Sequence, residues 1–243
     1  MDKETKRMVE LCLAWCGPLF VLTYIIFFGI LGHYIPPPNM MGMTPEQLIA
    51  EHYGKYQNEI IIGMIGAAVV GLLYLPWSLL LASMLRDENG SISVLGLMEA
   101  AGGTLTAWLL AFCPAMWAAV ALFAHTVDPN TLKFIHVLTW FIFDCTYMIT
   151  TVQLTGLGLY VVLNRKQTIF PAWTGWAAIA TGIIFIPLSL IPFVTEGSFT
   201  VAGTWNFWIV FSAWLFVFFS PFSYFMLKEC MRHGEKETVP VAA

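Results

Sequence analysis

Apolar residues fill long runs in this chain, and Lys and Arg fall between the runs rather than within them. The runs extend from about Leu11 to Leu31, Ile60 to Leu85, Val94 to Ala124, Phe134 to Leu163, Ala172 to Val194 and Asn206 to Leu227. A bilayer's hydrocarbon core of about 30 Å takes roughly 20 apolar residues at a helical rise of about 1.5 Å each. The pattern therefore predicts an all-α, polytopic transmembrane helix bundle of about six spans. The runs starting at Val94 and Phe134 are long for one crossing, so tilt or projection beyond the headgroups is expected there. The first run reads as a span rather than a cleaved signal peptide, because it is too long and Gly32-His33-Tyr34 is not a small-residue cleavage site.

Charge then orients the bundle. With six spans, the side holding both termini carries Lys3, Lys6, Arg7, Arg86, Arg165, Lys166, Lys228, Arg232 and Lys236, nine of the 11 basic residues, leaving Lys55 and Lys133 opposite. Basic residues in short loops stay on the cytoplasmic side, so both termini are expected there. Composition agrees: 58% of residues are apolar and 11% charged, against about 45 to 50% and about 25% in soluble domains. A net charge of −4 with scattered basic residues argues against a nucleic-acid partner. The five cysteines, Cys12, Cys16, Cys113, Cys145 and Cys230, all fall in or beside the spans, which argues against a disulfide framework.

No repeat, linker or low-complexity tract divides the chain, so residues 1–243 read as one bundle domain, with 234–243 a flexible polar tail on the cytoplasmic side. The longest exported segment is 33–59. It opens on Pro36-Pro37-Pro38, which must be extended, and continues into Thr44-Pro45-Glu46-Gln47, a capping box with proline at the first helical position. A short interfacial helix should follow, with Leu48, Ile49, His52 and Tyr53 within about 140° of arc. It is expected to cap the bundle, either merely covering helix ends or acting as a lid.

Polar groups in hydrocarbon are costly and usually face the bundle interior, so they mark candidate functional positions. On the fourth span His136, Trp140, Asp144, Tyr147, Thr151 and Thr155 share about 100° of arc, and on the third Glu99, Gly103, Thr106, Cys113 and Trp117 share about 80°. The two stripes are expected to face each other. Glu99, Trp117, His136, Trp140, Asp144, Tyr147 and Thr151 are the candidate pocket residues. Asp144 belongs in the outer half of the bilayer and Glu99 in the inner part, about 15 to 20 Å apart by helical rise. The two carboxyls read either as stations on a proton path or as neutral, hydrogen-bonded acids.

Four histidines, His33, His52, His125 and His136, are expected near the exported face, where imidazoles could ligate copper, zinc or haem iron with Asp144 or Asp128 behind them. Their spacing matches no metal or haem motif, and histidine is equally at home at a wet interface. Gly63, Ala67 and Gly71 repeat every four positions, a close helix contact that also suits an accessory subunit. Pro18, Pro76, Pro114, Pro187, Pro192 and Pro221 lie within spans and should kink them. No phosphate loop, nucleophile elbow, metalloprotease helix or repeated half is present.

Several stretches together resemble a family of bacterial polytopic inner-membrane proteins: Cys12-Leu13-Ala14-Trp15-Cys16-Gly17-Pro18, Gly32-His33-Tyr34-Ile35-Pro36-Pro37-Pro38, the Thr44-to-Tyr53 helix, Leu75-Pro76-Trp77, Phe170-Pro171-Ala172-Trp173-Thr174-Gly175, and Gly197-Ser198-Phe199 followed by Phe207-Trp208. The resemblance implies the fold and a bacterial cytoplasmic membrane, and it implies no activity, ligand or catalytic residue. Three functions then stand open. The first is a non-enzymatic protein binding or moving a small hydrophobic molecule among spans three, four and the outer cap. The others are a metal- or haem-dependent redox or isomerase subunit, and a scaffold in a homo- or hetero-oligomeric complex.

Overall fold

The computed structural model describes residues 2–235. Those residues are helices and connecting turns without a β-strand; an isolated bridge between Arg86 and Ile92 closes one turn. Six helices are long and apolar enough to cross a membrane: α1 (Lys3–Leu31), α3 (Gln57–Ser83), α4 (Val94–Leu122), α5 (Pro129–Leu163), α6 (Ala172–Phe193) and α7 (Thr204–Arg232). A short helix, α2 (Pro45–Leu48), precedes α3 and continues as a wider π turn over Ile49–Tyr53. Helical structure runs to Glu235, and the rest of the expected tail, 236–243, lies outside the described residues.

Local sequence explains the helix ends. Asp2, Thr44, Ser93 and Asp128 each accept a backbone N–H three residues on, satisfying donors that the first helical turn leaves unpaired. At Thr44 the Gln47 side chain also accepts from the Thr44 N–H at 2.9 Å, completing a capping box. Pro187 and Pro192 lack the N–H an α-helix needs, and there α6 tightens into a 3-10 turn over Ile186–Phe193. In α7 a π turn over Ala213–Phe219 precedes Pro221, and the Ser220 hydroxyl donates to the Leu215 carbonyl at 2.7 Å.

Packing runs around a closed ring in chain order, with α1 against α3, α3 against α4, and onward until α7 returns to α1. Small residues bring backbones together at several seams. A side chain at Gly63 in α3 would meet the backbone of Leu31 and Gly32 at the end of α1, and one at Gly71 would meet Leu110 of α4. The small-residue stripe is thus used inside the chain and supplies no free face for a partner. Between α4 and α5, Gly102 lies on the backbone of Ile149 and Gln153, and Gly156 lies on that of Leu95. The interior is packed with aromatic rings, among them Phe20, Tyr74, Trp77, Trp214 and Phe219, with Trp77 and Phe219 stacked at 3.9 Å.

The outer faces are apolar as well. Leu22, Ile30, Ile62, Val69, Trp108, Trp176, Ile183 and Phe216 are all exposed. At the ring's end opposite the start of α1, the segment after α1 folds back over the bundle. His33 adopts the left-handed region at φ 58° and reverses the chain, while its imidazole pairs with Glu59 and stacks on Tyr56.

Replacing Gly63 with Leu should force α1 and α3 apart, because the new side chain meets backbone that cannot rotate away. The expected loss is about 1 to 3 kcal/mol, read as a lower melting temperature of the detergent-solubilised protein. An unchanged melt would show that the seam is not tight.

Candidate functional site

Two helices set the interior chemistry. Because glycines let α4 and α5 approach closely, their short polar side chains reach each other directly. Thr106 of α4 and Thr150 of α5 share a hydrogen bond at 2.9 Å. Toward the end of the bundle that holds the termini, Gln153 of α5 donates to one oxygen of Glu99 at 2.8 Å, and Ser78 of α3 donates to the same oxygen at 2.9 Å. The Tyr74 hydroxyl donates to Gln153 at 2.9 Å and closes the group. All four residues are fully buried, and the second Glu99 oxygen has no hydrogen-bond partner.

The middle of α5 is interrupted. Phe141–Cys145 form a wider π turn, and a short non-helical step at Thr146 and Tyr147 precedes Met148–Leu163. Such interruptions free backbone groups and often mark functional positions. Asp144 sits in this turn, 6% exposed, and its carboxyl makes no hydrogen bond to a described residue.

Beside Asp144 lies a cavity of about 60 Å³ bounded by α4, α5, α6 and α7. At about 10 to 15 Å³ for each water-sized position, such a space takes about four to six non-hydrogen atoms. Its wall is mainly Phe, Leu, Val and Trp side chains, with Thr106, Asp144, Tyr147 and Thr150 the polar members. Tyr147 shares a hydrogen bond with Ser189 at 2.9 Å, and the two threonines bond to each other. Asp144 is therefore the polar wall group left without a hydrogen-bond partner among the described residues.

Comparison with family models, with curated proteins and with solved structures finds no match to this chain. Function must then be argued from the site itself.

The candidate residues separate into three groups. Asp144 and Tyr147 line the cavity. Glu99 belongs to the Ser78–Gln153–Tyr74 network. Trp117, His136 and Trp140 pack together under the cap, with Trp117 and Trp140 at 4.6 Å and His136 and Trp140 at 6.4 Å. The cavity also differs in place from a pocket among spans three, four and the cap: α6 and α7 close it and no cap residue touches it.

Thr151 and Thr155 are displaced by the break in α5. Counted at about 100° per residue from Asp144, both lie within about 20° of it and Gln153 lies opposite. In the structure Gln153, Leu154 and Leu157 are fully buried, while Thr151 and Thr155 are half-buried. The π turn and the step after it change the helical phase, so Thr150 and Gln153 take the inward positions that uninterrupted counting gives to the two threonines.

The histidines do not collect into one site. Among the described residues no group of three or more His, Cys, Asp and Glu is placed to hold a metal ion. His33 pairs with Glu59, and His125 is exposed. His136 is hydrogen-bonded through Nδ1 to the Tyr53 hydroxyl at 2.6 Å, and Tyr53 to Tyr34 at 2.8 Å. Burial holds both phenols well above the ordinary tyrosine value, so both keep their protons at neutral pH. This chain pins the cap to α5. Lys133 donating to the Met43 carbonyl, Gln57 to the Ala121 carbonyl and Asn39 to the Thr195 carbonyl pin it further.

His52 lies under the same cap, and burial lowers its imidazole from 6.5 to about 3, with repulsion from His33 adding to the effect. In a released cap it would regain its ordinary value of about 6.5. A group whose folded value is depressed and whose charged form is the protonated one favours the closed cap fully above about pH 6.5. That advantage falls as pH drops from about 6.5 toward about 3. Proteolytic nicking of 33–59 should therefore rise between pH 7 and pH 4, and the His52→Gln variant should flatten the profile. An equally steep profile in that variant would remove His52 as the cause.

Proposed function

We propose that the chain is a multi-pass protein of a bacterial cytoplasmic membrane, with both termini on the cytoplasmic side, that binds a small, largely apolar molecule in the cavity beside Asp144. The observation carrying the reading is a buried carboxyl without a protein partner, facing an apolar space between four helices. Few interior carboxyls are left this way in a packed bundle, since an unpaired polar group in a dry interior is costly.

The membrane part of the reading is supported by the outward faces. Rings and branched side chains exposed along the length of all six long helices would form a large apolar patch in water. In lipid they meet their own kind. The orientation rests on the basic residues, concentrated at the end where α1 begins, the last helix ends, and the α3–α4 and α5–α6 turns lie. The binding is non-covalent and non-enzymatic in this reading: Thr106 and Thr150 are engaged with each other and Tyr147 with Ser189, which leaves Asp144 to meet a ligand.

Topology is tested with reporter fusions. A fluorescent protein after Glu235 should mature, and alkaline phosphatase inserted near Asn130 should be active; the reverse pattern would overturn the orientation. Ligand binding is tested on the full chain in mild detergent with a panel of small alcohols, amines, amides and acids. Intrinsic tryptophan fluorescence and the melting temperature serve as readouts, the melting temperature alone for a variant that adds a tryptophan. At least one member should act saturably on the native protein and not on a Leu188→Trp variant that fills the space. A panel with no saturating member would count against the reading.

A further inference from the structure

We propose that the ligand is a small alkylammonium ion, paired with Asp144 and enclosed by aromatic rings. The inference rests on the cavity being the ligand site. No Lys, Arg or His side chain lines it. A buried carboxyl either keeps its proton or meets a counter-charge, and an ammonium ion is the ligand that can supply that charge here. Tyr147 is engaged with Ser189, and Thr106 with Thr150, which leaves Asp144 as the wall group free to take an ammonium N–H or to lie against a methylated one.

The rest of the wall suits the same chemistry. Phe143, Tyr147, Phe185, Phe211 and Trp214 surround the space, and Phe143, Phe211 and Trp214 are linked ring to ring at 6.4 Å. Aromatic faces carry negative quadrupole charge, attract cations, and recognise quaternary ammonium groups when several meet around one space. A neutral hydrocarbon would find the apolar wall but leave the carboxyl unpaired, and an anion would be repelled. Volume sets the size of the group that enters: room for about four to six non-hydrogen atoms fits tetramethylammonium or a short alkylamine. Phe143, Tyr147 and Phe211 are themselves partly exposed, placing the cavity near the bundle surface rather than sealing it at the centre.

The experiment compares tetramethylammonium with tert-butanol, a neutral probe of similar size and shape, on the full chain in mild detergent, reading intrinsic tryptophan fluorescence and the melting temperature. Tetramethylammonium, which pairs with the carboxylate and the ring faces without donating a hydrogen bond, should bind about ten- to a hundredfold more tightly, the range expected for a desolvated cation among aromatic rings. Asp144→Asn should abolish the preference, Asp144→Glu should retain it, and Glu99→Gln should leave it unchanged. Trp214→Leu, read by the melting temperature, should weaken the cation and spare the alcohol. Equal binding of the two probes, or a preference that survives Asp144→Asn, would overturn the cation while leaving a small-ligand cavity in place. Saturable binding of neither probe would overturn both. Should Asp144→Asn fail to fold, the preference in the native protein and its response to Trp214→Leu decide the matter.

Discussion

The interior of this protein depends on the backbone contact between α4 and α5. Gly102 and Gly156 allow the two helices to approach until no Cβ fits between them, and at that separation short side chains reach across. Thr106 meets Thr150, and Glu99 meets Gln153. Each of these polar groups would be costly in a dry interior without its partner. A wider seam would leave all of them stranded. The ring closes around this pair: α3 contributes Ser78 and Tyr74 to the network on one side, and α6 and α7 wall the cavity on the other.

Most of the architecture is legible in sequence because the bilayer length constraint is so coarse. Runs such as Val94 onward need no knowledge of neighbours to be read as long helices, and Ser93 and Thr44 announce the helix starts with side chains that can accept from the first turn. The candidate site is less legible. Asp144 and Glu99 stand out as charges among apolar residues. Gln153, Ser78 and Tyr74 do not, since a neutral polar residue or a tyrosine in a span has many unremarkable uses. Thr150 and Gln153 were hidden by a different cause: the change of helical phase after Asp144 depends on how α5 packs, and nothing between Phe141 and Tyr147 is a proline or glycine that would signal it.

The cap shows the opposite balance of local and distant information. Its helix start is written in four consecutive residues, Thr44 to Gln47. What holds it down is not local at all. Tyr53 and His136 are far apart in sequence and meet only because the segment folds back over the ring. The histidines, which looked alike as a set, then take different work: one closes the turn after α1, one joins the cap to α5, one is buried beneath it, and one stays at the surface.

The interrupted turn in α5 also governs which changes to the gene the protein can absorb. A substitution between Phe141 and Tyr147 alters one side chain. A single-residue deletion there would turn everything after it by about 100°, carrying Gln153 away from Glu99 and every later contact with α6 out of register. Length within this short stretch is therefore under a stricter constraint than residue type. Loops such as 194–203, whose ends are anchored but whose phase no helix inherits, have no comparable restriction.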